Sequence, residues 1–340
     1  LLWAGAYFMQ KSSYNNHYYL LLLISFLLIF LPANKYASLD VKQNRISEEN
    51  TMPYWINLLF IIQIAIVYVF ASLAKFYPDW LDGTFTRNLL VSSTEIIALK
   101  KLFLQKWFYL FIAYMGILFD LLIVPMLLFK KTRIVALLAS LTFHIFNAVF
   151  LEIGVFPFFA LTFALFFYEP ETIRRIFLKK KTSVENKNVN QNFYGKRIVY
   201  FLIIPYLIIQ LLLPLRHHFI EGDVLWTEEG HRLSWRMMLR ERSGYIVIRI
   251  KDLETDDESF YDYSKNLTDN QAYNLATKPD FIWQYCQRIK EEYQGKQIAI
   301  YIDCKNSINR KELKTLIDPK FDMAKAEWDY FGHNEWIVLY

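Results

Sequence analysis

Apolar and polar positions divide this chain into two parts. Up to about residue 215 it is built from long apolar runs with polar links between them: Tyr18–Pro32, Tyr54–Tyr77, Trp107–Phe129, Ile134–Phe150, Val155–Tyr168 and Ile198–Leu215. Runs of about 15–24 apolar residues are the length of helices that cross a bilayer. Leu1–Met9 (LLWAGAYFM) reads as the tail of a further helix, so the sequence is expected to be a fragment with earlier helices upstream. It has no basic n-region and no small-residue cleavage site, so it is not a signal peptide. From Arg216 onward the pattern is that of a water-soluble domain. Tyr245–Ile250, Ile298–Ile302 and Trp336–Tyr340 have strand character, and Thr277–Tyr293 is a helix with Pro279 near its first position. The expected fold is a multi-pass α-helical membrane bundle over 1–215, followed by a small extracytoplasmic α+β domain over 216–340.

The stretch Tyr54–Trp80 is the most informative. It is an apolar helix of membrane-spanning length that reaches Lys75 just before the Pro78-Asp79-Trp80 break. Tyr68, Ser72 and Lys75 stand at i, i+4 and i+7, one stripe of one helical face. An amine in such a helix either faces a polar pocket in the bundle or snorkels to the headgroups. The sequence alone leaves both open.

Composition supports the membrane reading. Of 340 residues, 54% are hydrophobic and 18% aromatic, and mean hydropathy is +0.16. The net charge of +5 does not argue for nucleic acid, because the basic excess lies in loops beside apolar helices. If each run crosses once, loops 33–52, 130–133 and 169–197 share a side and hold about fourteen Lys/Arg, against about five in the other links. That puts the first set in the cytoplasm and the C-terminal domain outside. If 134–150 and 155–168 made one crossing, the orientation would reverse. The segment Pro78–Lys106 reads as interfacial, Glu152-Ile153-Gly154 as a break, and Glu169–Arg197 as an exposed, mobile loop. Cys286 and Cys304 match no CxxC or zinc spacing, and a disulfide between them stays open. G-x-S-x-G, P-loop, H-E-x-x-H and dinucleotide glycine motifs are all absent.

Five groups carry candidate chemistry. Lys75 is the first. His17 follows Asn15 and Asn16 at a helix start, where free N–H groups and the positive dipole end suit a carboxylate, carbon dioxide or an oxyanion; an ordinary cap is the alternative. His144 and Asn147, at i and i+3, face one cavity or glue helices together. Asp120, an acid in an apolar span, needs a polar partner, either Lys75 or a hydroxyl. The junction Leu213–Ser243 holds His217, His218, His231, Trp226, Trp235, Met237 and Met238. Its ligand spacing matches no known metal site. Aromatics and methionines there suit a flat apolar ring, or simply packing.

Taken together, seven stretches resemble the vitamin K-dependent gamma-glutamyl carboxylase family, including its bacterial members with a horizontally transferred transmembrane domain. They are Tyr14–Leu20; Ala33–Tyr36; Ile66–Ala71 through Lys75 to Asp79–Gly83; Phe143–Asn147; Ile153–Phe156; Ser234–Met238; and Ile317–Pro319. The resemblance implies an integral membrane enzyme, in a bacterial cytoplasmic membrane, acting on vitamin K hydroquinone, O2 and CO2. Such an enzyme carboxylates a glutamate-containing protein substrate and converts the reduced naphthoquinone to its epoxide; no metal and no nucleic acid are implied. It places the catalytic base on Lys75 and a carboxylation-linked histidine on His17. Asn16, Tyr68, His144, Asn147, Trp235, Met237 and Met238 would lie at the quinone. A buried amine disfavours its charged form, which suits the role of base. The chain departs from the animal enzymes in three ways: Ala74 precedes Lys75 where they carry paired lysines, Arg240 replaces a histidine, and their long C-terminal part has no counterpart here. The implied alternatives are a quinone epoxidase without peptide carboxylation, or a non-catalytic scaffold or transporter.

Overall fold

The computed structural model describes residues 2–49, 51–150, 156–179 and 196–340. They form two compact units that interleave along the chain. The first comprises Leu20–Phe76 and Leu89–Leu212; the second comprises Leu2–Tyr19, Tyr77–Asn88 and Leu213–Tyr340.

The first unit is helical. Four helices are long and apolar enough to cross a bilayer: Tyr54–Leu73, Lys106–Leu128, Arg133–Phe150 and Lys196–Phe219. Asn16–Ile29 and Phe156–Phe167 are shorter apolar helices. Tyr54–Leu73 is apolar nearly all round because it is the central helix, burying Ile56, Leu59, Phe60, Ile64 and Val67. Lys106–Leu128 turns one face inward. Its buried residues Ala113, Gly116, Ile117, Asp120, Ile123, Val124 and Leu127 repeat at helical spacing. Ala113 and Gly116 are the small residues that let two helix backbones approach closely. The opposite face leaves Leu118, Leu121 and Leu122 exposed, as a lipid-facing surface does. In Arg133–Phe150 the buried stripe is Ala136, Ser140 and His144, each four residues apart.

The second unit contains the expected α+β fold. Four antiparallel strands, β1 (Arg242–Asp252), β2 (Glu258–Phe260), β3 (Ile298–Ile308) and β4 (Lys314–Thr315), lie in the order β2-β1-β3-β4. β1 and β3 pair over their whole length, with Ile246 opposite Cys304, Ile248 opposite Ile302 and Ile250 opposite Ile300. This alternate set is buried, as period-two strands with one covered face require. Helices Asp269–Thr277 and Pro279–Glu292 supply Leu275, Phe281, Ile282, Cys286 and Ile289 to the same core. Pro279 occupies the first turn of its helix, as expected. The preceding helix is opened by a reciprocal capping box of Thr268 and Gln271.

Several expectations change. Trp336–Tyr340 is not a strand, since only Ile337 makes a bridge, to Ile317. Trp336 is instead a core residue, its indole N–H donating to Glu327 O at 3.3 Å. Pro78–Lys106, expected to be interfacial, is divided into three short helices, Pro78–Leu81, Thr84–Ser92 and Ile97–Phe103. Its first part is tied into the second unit, where Asp79 accepts from Asn309 (2.8 Å) and Lys311 (2.7 Å). Within 169–197, Pro170–Phe177 is helical. The remainder of that loop, residues 180–195, and the Glu152-Ile153-Gly154 break lie outside the described residues.

Both cysteines are free and wholly buried. Burial pushes the Cys304 thiol up to about 12 and raises Cys286 as well, so neither is a thiolate at neutral pH. Native protein in detergent should resist maleimide, with both thiols labelling only on denaturation; rapid native labelling would refute this core.

Candidate functional site

Lys75 is not inside the helix that leads to it. The α-helix ends at Leu73, Ala74 is its C-cap, and the Lys75 N–H closes a tighter turn on Ser72 O (3.0 Å). Its side chain folds back, Nζ donating to Ala71 O at 3.1 Å and forming an ion pair with Asp120 Oδ2. The amine therefore sits on the free carbonyls of a helix C-terminus, where a cation is favoured. Lys75 is 7% exposed and Asp120 5%. It does not snorkel: the length that would have reached the headgroups is spent on a partner in the next helix.

The Tyr68-Ser72-Lys75 stripe ties the central helix to two neighbours. Ser72 Oγ donates to Ile117 O (3.1 Å), one turn before Asp120 on the Lys106–Leu128 helix. Tyr68 Oη lies 3.3 Å from His144 Nε2 on the Arg133–Phe150 helix. His144 is buried within an aromatic collar, its ring edge-on to Phe119, Phe143 and Phe156 at centroid distances of 6.0, 5.4 and 6.4 Å. Its Nδ1 has no hydrogen-bond partner among the described residues. Asn147, one turn on, is half-buried.

The other predicted residues belong to the second unit. Asn15 caps the helix that starts at Asn16, its Oδ1 accepting from the His17 N–H at 2.7 Å. Asn16 itself is buried. Its amide donates to Arg236 O (3.0 Å), and its Oδ1 accepts from Tyr14 Oη (2.7 Å). Tyr14 Oη also accepts from the Leu233 N–H (2.8 Å). The helix start and the Ser234–Met238 stretch, 220 residues apart, are thus one hydrogen-bonded structure. Trp235 is fully buried and stacked on Tyr19 (4.8 Å, 25°), and its indole N–H has no partner among the described residues. Met237 is half-buried and Met238 exposed. Leu233, Trp235 and Met238 have φ of +63°, +57° and +51°, a left-handed backbone that costs non-glycine residues about 1–3 kcal/mol each. Strain of this kind gathers at functional sites and persists only where surrounding packing over-determines it.

Sequence reasoning passed over two features. Gln63, in the middle of the central helix, is wholly buried and accepts from Tyr206 Oη of the last long helix at 2.5 Å; a lone amide in a run of isoleucines was the signal. The second is a group of buried cations: Arg232 pairs with Asp280, while Arg240 and Arg242 share Glu228. Burial, reinforced by Arg236 and Arg232, pushes His231 down to about 3. Among the described residues no three His, Cys, Asp or Glu side chains converge as metal ligands would.

The fold class is therefore a multi-helix membrane protein carrying a small mixed α+β domain. Residues 1–171 match the family model described as the HTTM domain, and residues 195–340 match that of the vitamin K-dependent gamma-carboxylase lumenal domain. The chain belongs to the vitamin K-dependent gamma-carboxylase family. No solved structure matches it.

Removing one partner of a buried ion pair strands the other charge, at a cost of about 3–5 kcal/mol. Asp120→Leu should therefore markedly lower the unfolding temperature, and Lys75→Met/Asp120→Leu should restore most of it. A D120L protein as stable as wild type would contradict the pairing.

Proposed function

We propose that this protein is a vitamin K-dependent carboxylase-type membrane enzyme that oxygenates a reduced naphthoquinone with Lys75 as base and couples this to glutamate carboxylation. The observation that carries the reading is the buried amine of Lys75, held by Asp120 in a helix bundle that also holds the Tyr68–His144 pair. Family membership supports the same chemistry. Residues 216–340 are then extracytoplasmic and 1–215 the membrane domain, consistent with a lumenal-domain match in the C-terminal part.

The residues suit a naphthoquinone. Phe119, Phe143 and Phe156 make an aromatic, apolar surrounding at His144, Phe119 and Phe143 being stacked on each other (3.9 Å, 14°). His144 Nδ1, buried without a partner among the described residues, is a polar atom for one of the ring oxygens. When bound, the hydroquinone supplies the reducing chemistry that consumes O2 and generates a base strong enough for a glutamate γ-carbon.

The chain supplies proton handling. A proton passing from Lys75 Nζ to Asp120 Oδ2 leaves the net buried charge unchanged, so the pair can present a neutral amine without stranding a charge. Lys75 Nζ then takes a hydroquinone proton. Ser72, fixed on Ile117 O, keeps the two helices in register at the pair. Tyr68 orients His144 through Nε2. In the second unit, Asn16 and His17 at the capped helix start, with Trp235, Met237 and Met238, are the further residues the family resemblance assigns to the reaction. His17 serves the carboxylation half, where an anion-friendly helix start is of use.

Lys75→Ala, together with Lys75→Ala/Asp120→Leu as the charge-balanced control, should abolish epoxide formation from reduced vitamin K and O2 while the protein stays folded. Unchanged epoxide output in the double variant would refute Lys75 as base. His17→Ala should reduce incorporation of labelled CO2 into a glutamate peptide by more than it reduces epoxide. Equal loss of both would make His17 structural. No quinone turnover by wild-type protein would favour the scaffold reading.

A further inference from the structure

Arg232, Arg240 and Arg242 of the second unit have carboxylate partners. Arg236 has none. It is 8% exposed, and among the described residues no carboxylate lies within ion-pair distance of it. Asp223 acts on it only from farther away. Its Nη1 lies 3.4 Å from His217 Nε2, and its Nε has no hydrogen-bond partner among the described residues. His217 cannot neutralise it. The Nδ1–H of that ring donates to Pro214 O (2.8 Å), so Nε2 is the acceptor nitrogen facing the guanidinium. Protonating Nε2 would set two cations against each other. The ring is also held in place: a Cβ on Gly230 (φ +71°) would meet His217 Cβ at 2.7 Å.

A desolvated, unpaired guanidinium is among the costliest groups a fold can bury. Arginine's planar fork is matched by planar oxyanions, which it binds with two parallel hydrogen bonds. We propose that Arg236, with His217 beside it, is a binding site for a small carboxylate-type oxyanion, either bicarbonate or a carboxylate side chain. The backbone at this site is anchored to the helix start through the Asn16–Arg236 O bond. The site gives the carboxylation half of the proposed reaction a substrate class, and to that extent rests on that reading.

The test is thermal unfolding of the purified full chain in detergent, titrated with sodium bicarbonate, sodium acetate or a short glutamate peptide against sodium chloride at equal ionic strength. A ligand that binds only the folded state raises the unfolding temperature in proportion to its occupancy. Wild type should be stabilised by at least one carboxylate-type anion beyond chloride, with Arg236→Gln weakening the apparent affinity by at least about tenfold. Arg236→Lys, which keeps the charge and loses the fork, should fall between and serves if R236Q does not fold. Stabilisation by bicarbonate alone identifies the free anion as ligand; stabilisation by acetate and the peptide identifies a protein carboxylate. No effect beyond chloride, or equal affinity in R236Q and wild type, overturns the site. Anion-dependent stabilisation without quinone turnover would leave this site standing and remove the proposed reaction, while turnover with no anion dependence would do the reverse.

Discussion

The first unit depends on how a lysine and an aspartate can be buried among apolar helices. Either charge alone in such a place costs several kcal/mol. Together they are tolerable only if the helices carrying them keep a fixed register. The structure meets that condition with short-range devices. The helix ends two residues before Lys75, so the side chain can turn back over its last carbonyls. Ala113 and Gly116 allow the Lys106–Leu128 helix to approach closely, and Ser72 fixes its rotation through Ile117 O. Each is a small interaction, but each is needed if Asp120 is to face Lys75 rather than lipid.

Much of this was legible in the sequence. The six apolar runs became helices near their expected bounds because hydropathy over such lengths leaves few alternatives. Asp120 needed a polar partner, and Lys75 was one of two candidates. The exact ending of the Tyr54–Leu73 helix was not legible, because Ala74 and Lys75 are good helix formers, Phe76 does not break a helix, and the break is announced only by Pro78. The Trp336–Tyr340 segment failed for a related reason. Alternating bulky residues read as a strand, but with only Ile317 to pair with, the segment contributes its indole to the core instead of extending the sheet.

The second unit was harder to read, because its defining contacts are remote in sequence. Asn16 and Arg236 are joined by a hydrogen bond across 220 positions, and Asp79 meets Asn309 and Lys311 across more than 200. Motif reading located both ends of the first contact without showing that they form one structure, and only the Asp79 end of the second. In the family motif around Lys75, Asp79 could have been taken for a second acid. It is a tie, satisfied by an amide and an ammonium that hold the Pro78–Leu81 turn to the end of β3. Trp235, expected to grip a flat ring, stacks on Tyr19 and locks a backbone with three left-handed residues around it. A tryptophan so placed shapes a site by fixing its frame, whatever else touches its edge.

The two units handle buried charge in opposite ways, and that difference bears on function. In the bundle, Lys75 and Asp120 balance each other, so a proton can move between them without a change in net charge. In the second unit, Arg232 pairs with Asp280 and Arg240 and Arg242 share Glu228, while Arg236 is left to a neutral imidazole. If Arg236 served only packing, a methionine of similar length would do as well without the desolvation cost. Its retention of a charged, planar group in a dry place, on a backbone already strained, is better explained by recognition than by stability. A balanced pair suits proton transfer and an unbalanced cation suits anion capture. In the reaction proposed above, the pair would serve the half that generates the base and Arg236 the half that carboxylates glutamate.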